Sequence, residues 1–303
     1  MSRRRKSGRD LNGILLLDKP VGITSNAALQ QIKRLFQANK AGHTGSLDPL
    51  ASGLLPVCMG EATKVSSFLL NTDKRYVVEI QLGVVTDTGD AEGRILATHS
   101  IPPLQETAIE RLLAGFVGEV SQIPPMYSAL KHRGQRLYDL ARKGIEVERE
   151  ARKVRIYAID LLGWSESHLE LEVHCSKGTY IRTLAEDVGK AVGCGGSVRH
   201  LRRTRVGDFD IGSAWTPARL SEMESDAERL ACLLPVDVAL GGCPAVTLSE
   251  DLVFFIKQGQ SVFIPKAPNK GVVRIYSHAG VFLGLAEMLD NGMLAPRRLF
   301  QTI

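Results

Sequence analysis

The sequence predicts an α+β protein with a small β-rich unit at its C-terminal end. Helical and strand patterns intermingle along the first two thirds without the regular alternation that builds a parallel sheet, and beyond Val246 short β-rich pieces dominate. A chain of 303 residues, 44% hydrophobic and 23% charged, is large enough for one good core or two domains.

The apolar run from Ile14 to Leu17 reads as a buried strand. Thr24 or Ser25 can cap the helix after it, whose Ala28, Leu29, Ile32, Leu35 and Phe36 share one face. Leu54 to Met59 reads as a strand, Glu61 to Leu70 as a helix, and Tyr76 to Leu82 as a strand in which Val78, Ile80 and Leu82 alternate with Glu79 and Gln81. That alternation puts Tyr76 on the face of Val78. Asp87-Thr88-Gly89-Asp90 has turn chemistry, and Thr107 to Phe116 is amphipathic at helical spacing. Leu169, Leu171, Val173 and Cys175 alternate with polar neighbours as a half-buried strand, and Ile181, Leu184, Ala185, Val188 and Val192 recur as a helix. Tyr180 and Arg182 therefore sit at a strand-to-helix junction. The acidic stretch from Glu222 to Glu228 and the Gly241-Gly242 pair read as a boundary region, followed by β-rich segments at Gly271 to Tyr276 and Val281 to Met288.

Net charge says less than it first suggests. Arg3, Arg4, Arg5, Lys6 and Arg9 supply the whole formal excess of +5, leaving 33 basic against 33 acidic residues elsewhere. Only local clustering can then mark a phosphate-binding surface. Residues 1–10 read as a disordered basic arm. Five cysteines without a C-x-x-C pair fit a reducing cytoplasm better than a disulfide framework. The Ile14 to Leu17 run is too short for an export signal, and no stretch reaches transmembrane length, so no membrane partner is expected.

Chemistry concentrates in Gly42-His43-Thr44-Gly45-Ser46-Leu47-Asp48-Pro49-Leu50-Ala51-Ser52-Gly53, where Asp48 is the sole acid. Gly42, Gly45 and Gly53 permit backbone angles and close approaches closed to other residues, and Pro49 restricts Asp48 toward extended geometry. On local chemistry alone, Asp48 either closes a turn or presents its carboxylate in one fixed direction. A second cluster, Lys131, His132, Arg133, Arg136, Arg142 and Lys143 with Tyr127 and Tyr138, suits a phosphate backbone beside stacked bases. A solvated amphipathic helix would explain it equally. Arg199, Arg202, Arg203 and Arg205 form a third basic group around Leu201.

Other chemistries leave gaps. His168-Leu169-Glu170 begins like a zinc deaminase signature, but no Pro-Cys-x-x-Cys follows. Gly193-Cys194-Gly195-Gly196 follows a helix and lacks the final glycine of a dinucleotide loop, and no Gly-Lys-Ser or Gly-Lys-Thr phosphate loop exists. Redox, nucleotide-driven and metal enzymes are disfavoured.

The Asp48 loop resembles the catalytic motif of the TruB family of pseudouridine-55 synthases. Further blocks in family order extend the likeness: Leu17-Asp18-Lys19-Pro20 with Thr24-Ser25, Asp73-Lys74-Arg75-Tyr76, Pro124-Pro125-Met126-Tyr127-Ser128-Ala129-Leu130-Lys131, and Lys177-Gly178-Thr179-Tyr180-Ile181-Arg182-Thr183. Ser46 and Ser52 depart from the usual Ala and Thr without removing a needed group, and the likeness thins after Ser213. The resemblance implies a pseudouridine synthase fold over residues 11–245, with a largely antiparallel central sheet and a thumb-like insertion at about 124–152 that closes over RNA. A PUA-like RNA-binding domain is implied over 246–303. It implies an isomerase without metal or cofactor, acting as a monomer on the T stem-loop of tRNA. Asp48 would be the nucleophile, Tyr76 would pack on the uracil and help move its C5 proton, and Arg182 would pair with Asp48. His43, Tyr76, Tyr180 and Leu201 would line the pocket and the space left by the flipped base. Lys131, Arg133, Arg136, Arg142, Arg202 and Arg203 are the RNA-backbone candidates.

Overall fold

The computed structural model describes residues 8–128, 130–265 and 271–300. Arg3, Arg4, Arg5 and Lys6 of the basic arm lie outside them, as do residues 266–270 and 301–303 of the C-terminal unit. Gly8 to Asp10, read from sequence as part of a disordered arm, are instead held. The Gly8 amide donates to Asn39 Oδ1 at 2.8 Å, the Asn39 amide group donates to Asp10 at 2.8 Å, and Arg9 pairs with Asp226 at 2.9 Å.

Strand β1 (Gly13–Lys19) is apolar from Ile14 to Leu17 because both its faces are covered there. Leu15 and Leu17 pack under helix α1 (Ser25–Leu35), while Ile14 and Leu16 face a second core with Val65, Leu69 and Leu240. The Thr24 hydroxyl caps α1 by accepting from the Ala27 amide at 3.1 Å, as its sequence position implies. After β2 (Ala41–His43) and β3 (Ser52–Met59), the helix expected over 61–70 is broken in two: a 3₁₀ turn at Gly60–Lys64, then α2 (Ser66–Leu70). Thr63 and Ser66 hydroxyls donate to carbonyls three residues back, which competes with a continuous α-helix.

Strand β4 (Lys74–Leu82) leads through the hairpin β5 (Val84–Thr86) and β6 (Ile95–Thr98) to α3 (Glu106–Ala114) and β7 (Gly118–Gln122). The basic cluster then folds as a hairpin, β8 (Lys131–His132) and β9 (Gln135–Arg136), and one helical turn, α4 (Leu137–Ala141), rather than as a long helix. Arg133 and Gly134 form the two-residue turn, both at positive φ (48° and 85°), a geometry that matches hairpin twist but is unusual for arginine. Strand β10 (Arg152–Trp164), β11 (His168–Cys175), α5 (Ile181–Val192), β12 (Gly196–Val206) and β13 (Phe209–Asp210) complete the central unit.

Nine of these strands form one sheet in the order β1-β3-β12-β4-β11-β10-β7, with β2 added to β3 and β13 to β12. Its pairings are antiparallel except β12 against β3, where Arg202 and Arg203 lie beside Ser52 and Gly53. That one parallel contact sits where the Asp48 loop ends. A β-carbon on Gly53, whose φ is +105°, would lie 2.3 Å from the Arg203 carbonyl oxygen. Strain and overpacking together should make Gly53→Ala less stable by about 2–5 kcal/mol in urea unfolding. A loss below about 1 kcal/mol would show that the two strands can part freely. Gly42, by contrast, is an ordinary strand residue with open space around it.

The acidic stretch at 222–228 is not a linker. Thr216 caps α6 (Pro217–Glu222), and at the start of α7 (Asp226–Ala231) the Ser225 hydroxyl accepts from the Glu228 amide while the Glu228 carboxylate accepts from the Glu224 amide, both at 3.2 Å. The C-terminal unit contains β14 (Ala245–Leu248), α8 (Glu250–Lys257), β15 (Val262–Phe263), β16 (Gly271–Ser277), β17 (Phe282–Met288) and β18 (Met293–Leu299). Its strands lie in the open order β14-β16-β17-β18-β15, and α8 is a helix that the β-rich reading missed. The unit shares a core with the central one, since Leu285, Val272, Phe282 and Phe300 pack in the cluster of Ile14, Leu54 and Leu240. No helix among the described residues is long and apolar enough to cross a membrane.

Candidate active site

The segment between β2 and β3 is pinned at nearly every residue around Asp48. Ser25 Oγ accepts from the Leu47 amide at 2.7 Å and donates to its carbonyl at 3.0 Å, while the Gly22 amide donates to the Pro49 carbonyl at 2.8 Å. The Ala51 amide closes a turn on the Asp48 carbonyl at 3.1 Å, and Arg203 Nη2 donates to the Gly45 carbonyl at 3.1 Å. Both sequence readings are therefore true. Asp48 closes a turn, and the turn aims its carboxylate into a cavity of about 300 Å³, at the small end of ligand pockets.

Arg182 meets it there from the first turn of α5. A cation at a helix N-terminus opposes the helix dipole, so its placement has a cost that two carboxylates offset. Arg182 Nη2 lies 3.0 Å from Asp48 Oδ2, and Nη1 lies 3.6 Å from Asp90 Oδ2. The same fork donates to the Tyr127 carbonyl at 2.6 Å and the Thr88 carbonyl at 2.9 Å. Asp90 is buried and fixed in turn by the Thr88 hydroxyl at 2.6 Å and the Glu92 amide at 3.1 Å. At the start of α5, Gln122 accepts from the Tyr180 amide at 2.9 Å and donates to its carbonyl at 3.2 Å. The sequence showed Asp87 to Asp90 only as a turn; burial of one of its acids beside an arginine 92 positions away is a tertiary fact.

Tyr76, Tyr180 and Leu201 line the same cavity as Asp48 and Arg182, with Lys74, Tyr127, Ser128 and Arg203. Burial raises the Asp48 pKa above the ordinary carboxylate range and Asp90 adds to the rise, while Arg182 and Lys19 oppose it. Tyr76 and Tyr180 are also pushed up by burial, so both are neutral phenols at pH 7. Lys74 is pulled down to about 8 by burial, yet its ammonium is occupied by the Leu69, Leu70 and Thr72 carbonyls. Lys19, likewise at about 8 through burial, caps the Pro20 and Ile23 carbonyls. His43 is outside the cavity lining, on β2. Burial and then the Arg203 charge lower its pKa, and its buried Nδ1 has no hydrogen-bond partner among the described residues.

The basic candidates separate into two kinds. Lys131, Arg133, Arg136, Arg142 and Lys143 are exposed and, among the described residues, in no ion pair. All but Arg133 line a groove of about 650 Å³, and Arg142 lies over the Tyr138 ring at 4.6 Å. On β12, Arg199 pairs with Glu79 at 2.8 Å and Arg205 with Asp210 at 3.7 Å. Arg202 is held by both Asp18 oxygens at 3.1 and 2.7 Å. The expectation that Arg203 faces the RNA backbone is corrected: it is only 2% exposed, since an inward position on the strand carries it under the Asp48 loop. Among the described residues, no group of three or more His, Cys, Asp or Glu could hold a metal ion.

Residues 33–181 match the family model described as "TruB family pseudouridylate synthase (N terminal domain)". Residues 182–241 match "tRNA pseudouridylate synthase B C-terminal domain", and 244–300 match "Pseudouridine synthase II TruB, C-terminal". A Nitrosococcus oceani protein named tRNA pseudouridine synthase B is 54% identical over 98% of this chain and 97% of its own. A Coxiella burnetii protein of the same name is 52% identical over 97% and 96%. Among solved structures, one titled "Crystal Structure of a Cbf5-Nop10-Gar1 Complex" superposes with a TM-score of 0.73 at 26% identity, covering 95% of this chain and 85% of that one.

Proposed function

The chain belongs to the TruB family of pseudouridylate synthases, and on that premise we propose that it isomerises uridine-55 in the T arm of tRNA to pseudouridine, with Asp48 as nucleophile. The observation that carries this reading is the Asp48–Arg182 pair, 3.0 Å apart, at the wall of a cavity also lined by Tyr76, Tyr180 and Leu201. The reaction needs no redox agent, metal or outside donor. It needs a nucleophile, a place for the detached base to turn, and little water.

A uridine inside folded RNA must first leave its stack, at a cost of a few kcal/mol. Tyr76, Tyr180 and Leu201 then pack against the base, and His43, outside the cavity and neutral at pH 7, stands at the flank of the vacated stack. Asp48 attacks C1′, the bond to N1 breaks, the base turns, and C5 bonds to C1′. Tyr76 is placed to help move the C5 proton. On the same reading the protein acts as a monomer in a reducing cytoplasm, where five cysteines without a C-x-x-C pair stay as thiols. The C-terminal sheet adds grip on RNA as a PUA-like domain over 246–303.

Uridine and pseudouridine weigh the same, so the test is carbodiimide-dependent primer-extension stops on tRNA incubated with the protein. A stop at position 55 supports the reading; binding without a stop would leave an RNA-binding protein with an idle pocket.

The exposed hairpin and one-turn helix at 131–143 supply the phosphate contacts. Neutralising Arg133, Arg136 and Arg142 together should flatten the salt dependence of tRNA affinity by about 2–3 log units per log unit of salt. An unchanged slope would remove this region from the interface.

A further inference from the structure

Resting on the reaction just proposed, the two arginines of the cavity have different work. Attack by Asp48 forms a C1′–O bond and breaks C1′–N1, whose electron pair leaves with the uracil ring. A negative charge that began on the carboxylate is now on the detached base. In the second half C5 attacks C1′, the Asp48 carboxylate departs with its pair, the C5 proton is removed and N1 takes up a proton. The charge thus travels from Asp48 to the base and back.

Arg182 stands where the charge begins, beside two carboxylates at 3.0 and 3.6 Å. Arg203 is different. It is 2% exposed, lines the same cavity, and among the described residues is in no ion pair. Its Nε donates to the Leu54 carbonyl at 2.8 Å and its Nη2 to the Gly45 carbonyl at 3.1 Å, both neutral acceptors. It lies across the strand pair from Tyr76 and two residues beyond Leu201, the residues that pack on the base in the proposed complex. Its charge adds to the lowering that burial imposes on His43, Lys19 and Lys74, and its charge and a side-chain hydrogen bond to the Tyr76 phenol both oppose the rise that burial imposes there. A buried cation with no anion is costly to keep. Two carbonyls and a neutral phenol can be held together by neutral donors, so the charge itself calls for an explanation.

We propose that Arg203 is a catalytic residue that stabilises the uracil anion released by cleavage of C1′–N1, the missing counter-charge of its site arriving with the reaction. Preorganised cations act in this way on developing negative charge, because the field is in place before the charge appears.

The test uses full-length protein in single-turnover reactions on two T-arm stem-loop RNAs, one with uridine and one with 5-fluorouridine at the target position. Consumption of the target nucleoside is followed by chromatography after nuclease digestion. Fluorine withdraws electron density and stabilises the detached ring, so that substrate depends less on an outside cation. Arg203→Met should slow uridine consumption about 10²-fold. The loss on 5-fluorouridine should be at least about tenfold smaller, a difference of about 1.4 kcal/mol. Arg203→Lys should recover part of the uridine rate, and RNA affinity should stay within about threefold. Equal losses on both RNAs would overturn the proposal and leave Arg203 as a brace for the Asp48 loop. If Arg203→Met does not fold, Arg203→Gln, which keeps an amide donor for the two carbonyls, carries the same comparison. Wild-type protein that consumes neither substrate would instead refute the proposed function.

Discussion

Asp48→Asn should abolish pseudouridine formation while leaving tRNA affinity within about tenfold, which is about 1.4 kcal/mol. The amide matches the carboxylate in shape, and the turn that holds it is built from backbone groups of Asp48, Leu47 and Pro49, none of which the change removes. What is lost is the negative oxygen 3.0 Å from Arg182 and with it the nucleophile. The ionised form also sets the pH limit. Burial and Asp90 raise the Asp48 pKa, so the wild-type rate should fall with acid at a pH above the ~3.9 of a free aspartate. Above that limb the carboxylate is charged and the rate levels off; below it the protonated acid cannot attack. Purified Asp48→Asn with full activity in the primer-extension assay would remove Asp48 from its role.

Asp48 could be singled out from sequence because its signal is local: one acid, three glycines and a proline within twelve residues. Strand β11 was legible for a similar reason, since a sheet with one covered face writes alternation into the chain. Residues whose meaning depends on a distant partner were not legible. Asp90 reads as turn chemistry until it is found buried against Arg182, and Gln122 shows nothing until it clasps both backbone groups of Tyr180. The arginines of β12 show the same limit. Four basic residues within seven positions suggest a phosphate-binding edge, but three are paired with acids from other segments and the fourth is buried beneath the Asp48 loop. Helix α8 escaped because its exposed Phe254 and Phe255 blur the polar face on which a helical reading depends.

Arg182→Lys should lower turnover about 10²–10³-fold although the charge is kept. The guanidinium reaches four acceptors in two directions: Asp48 and the Tyr127 carbonyl from Nη2, Asp90 and the Thr88 carbonyl from Nη1. A lysine ammonium is a single point on a flexible stem and cannot hold both sides of that fork. Asp48 would remain charged but lose its fixed aim, and displacement of a reacting group by about 1 Å is enough for a 10²-fold loss. Losing aim rather than affinity predicts a fall in kcat with little change in KM. Asp90→Asn separates the two halves of the network. It removes the carboxylate behind Arg182 without touching the one in front, so its loss should be smaller than that of Arg182→Lys. A lysine enzyme within about threefold of wild type would mean that Arg182 only balances charge, and that the backbone turn alone aims Asp48.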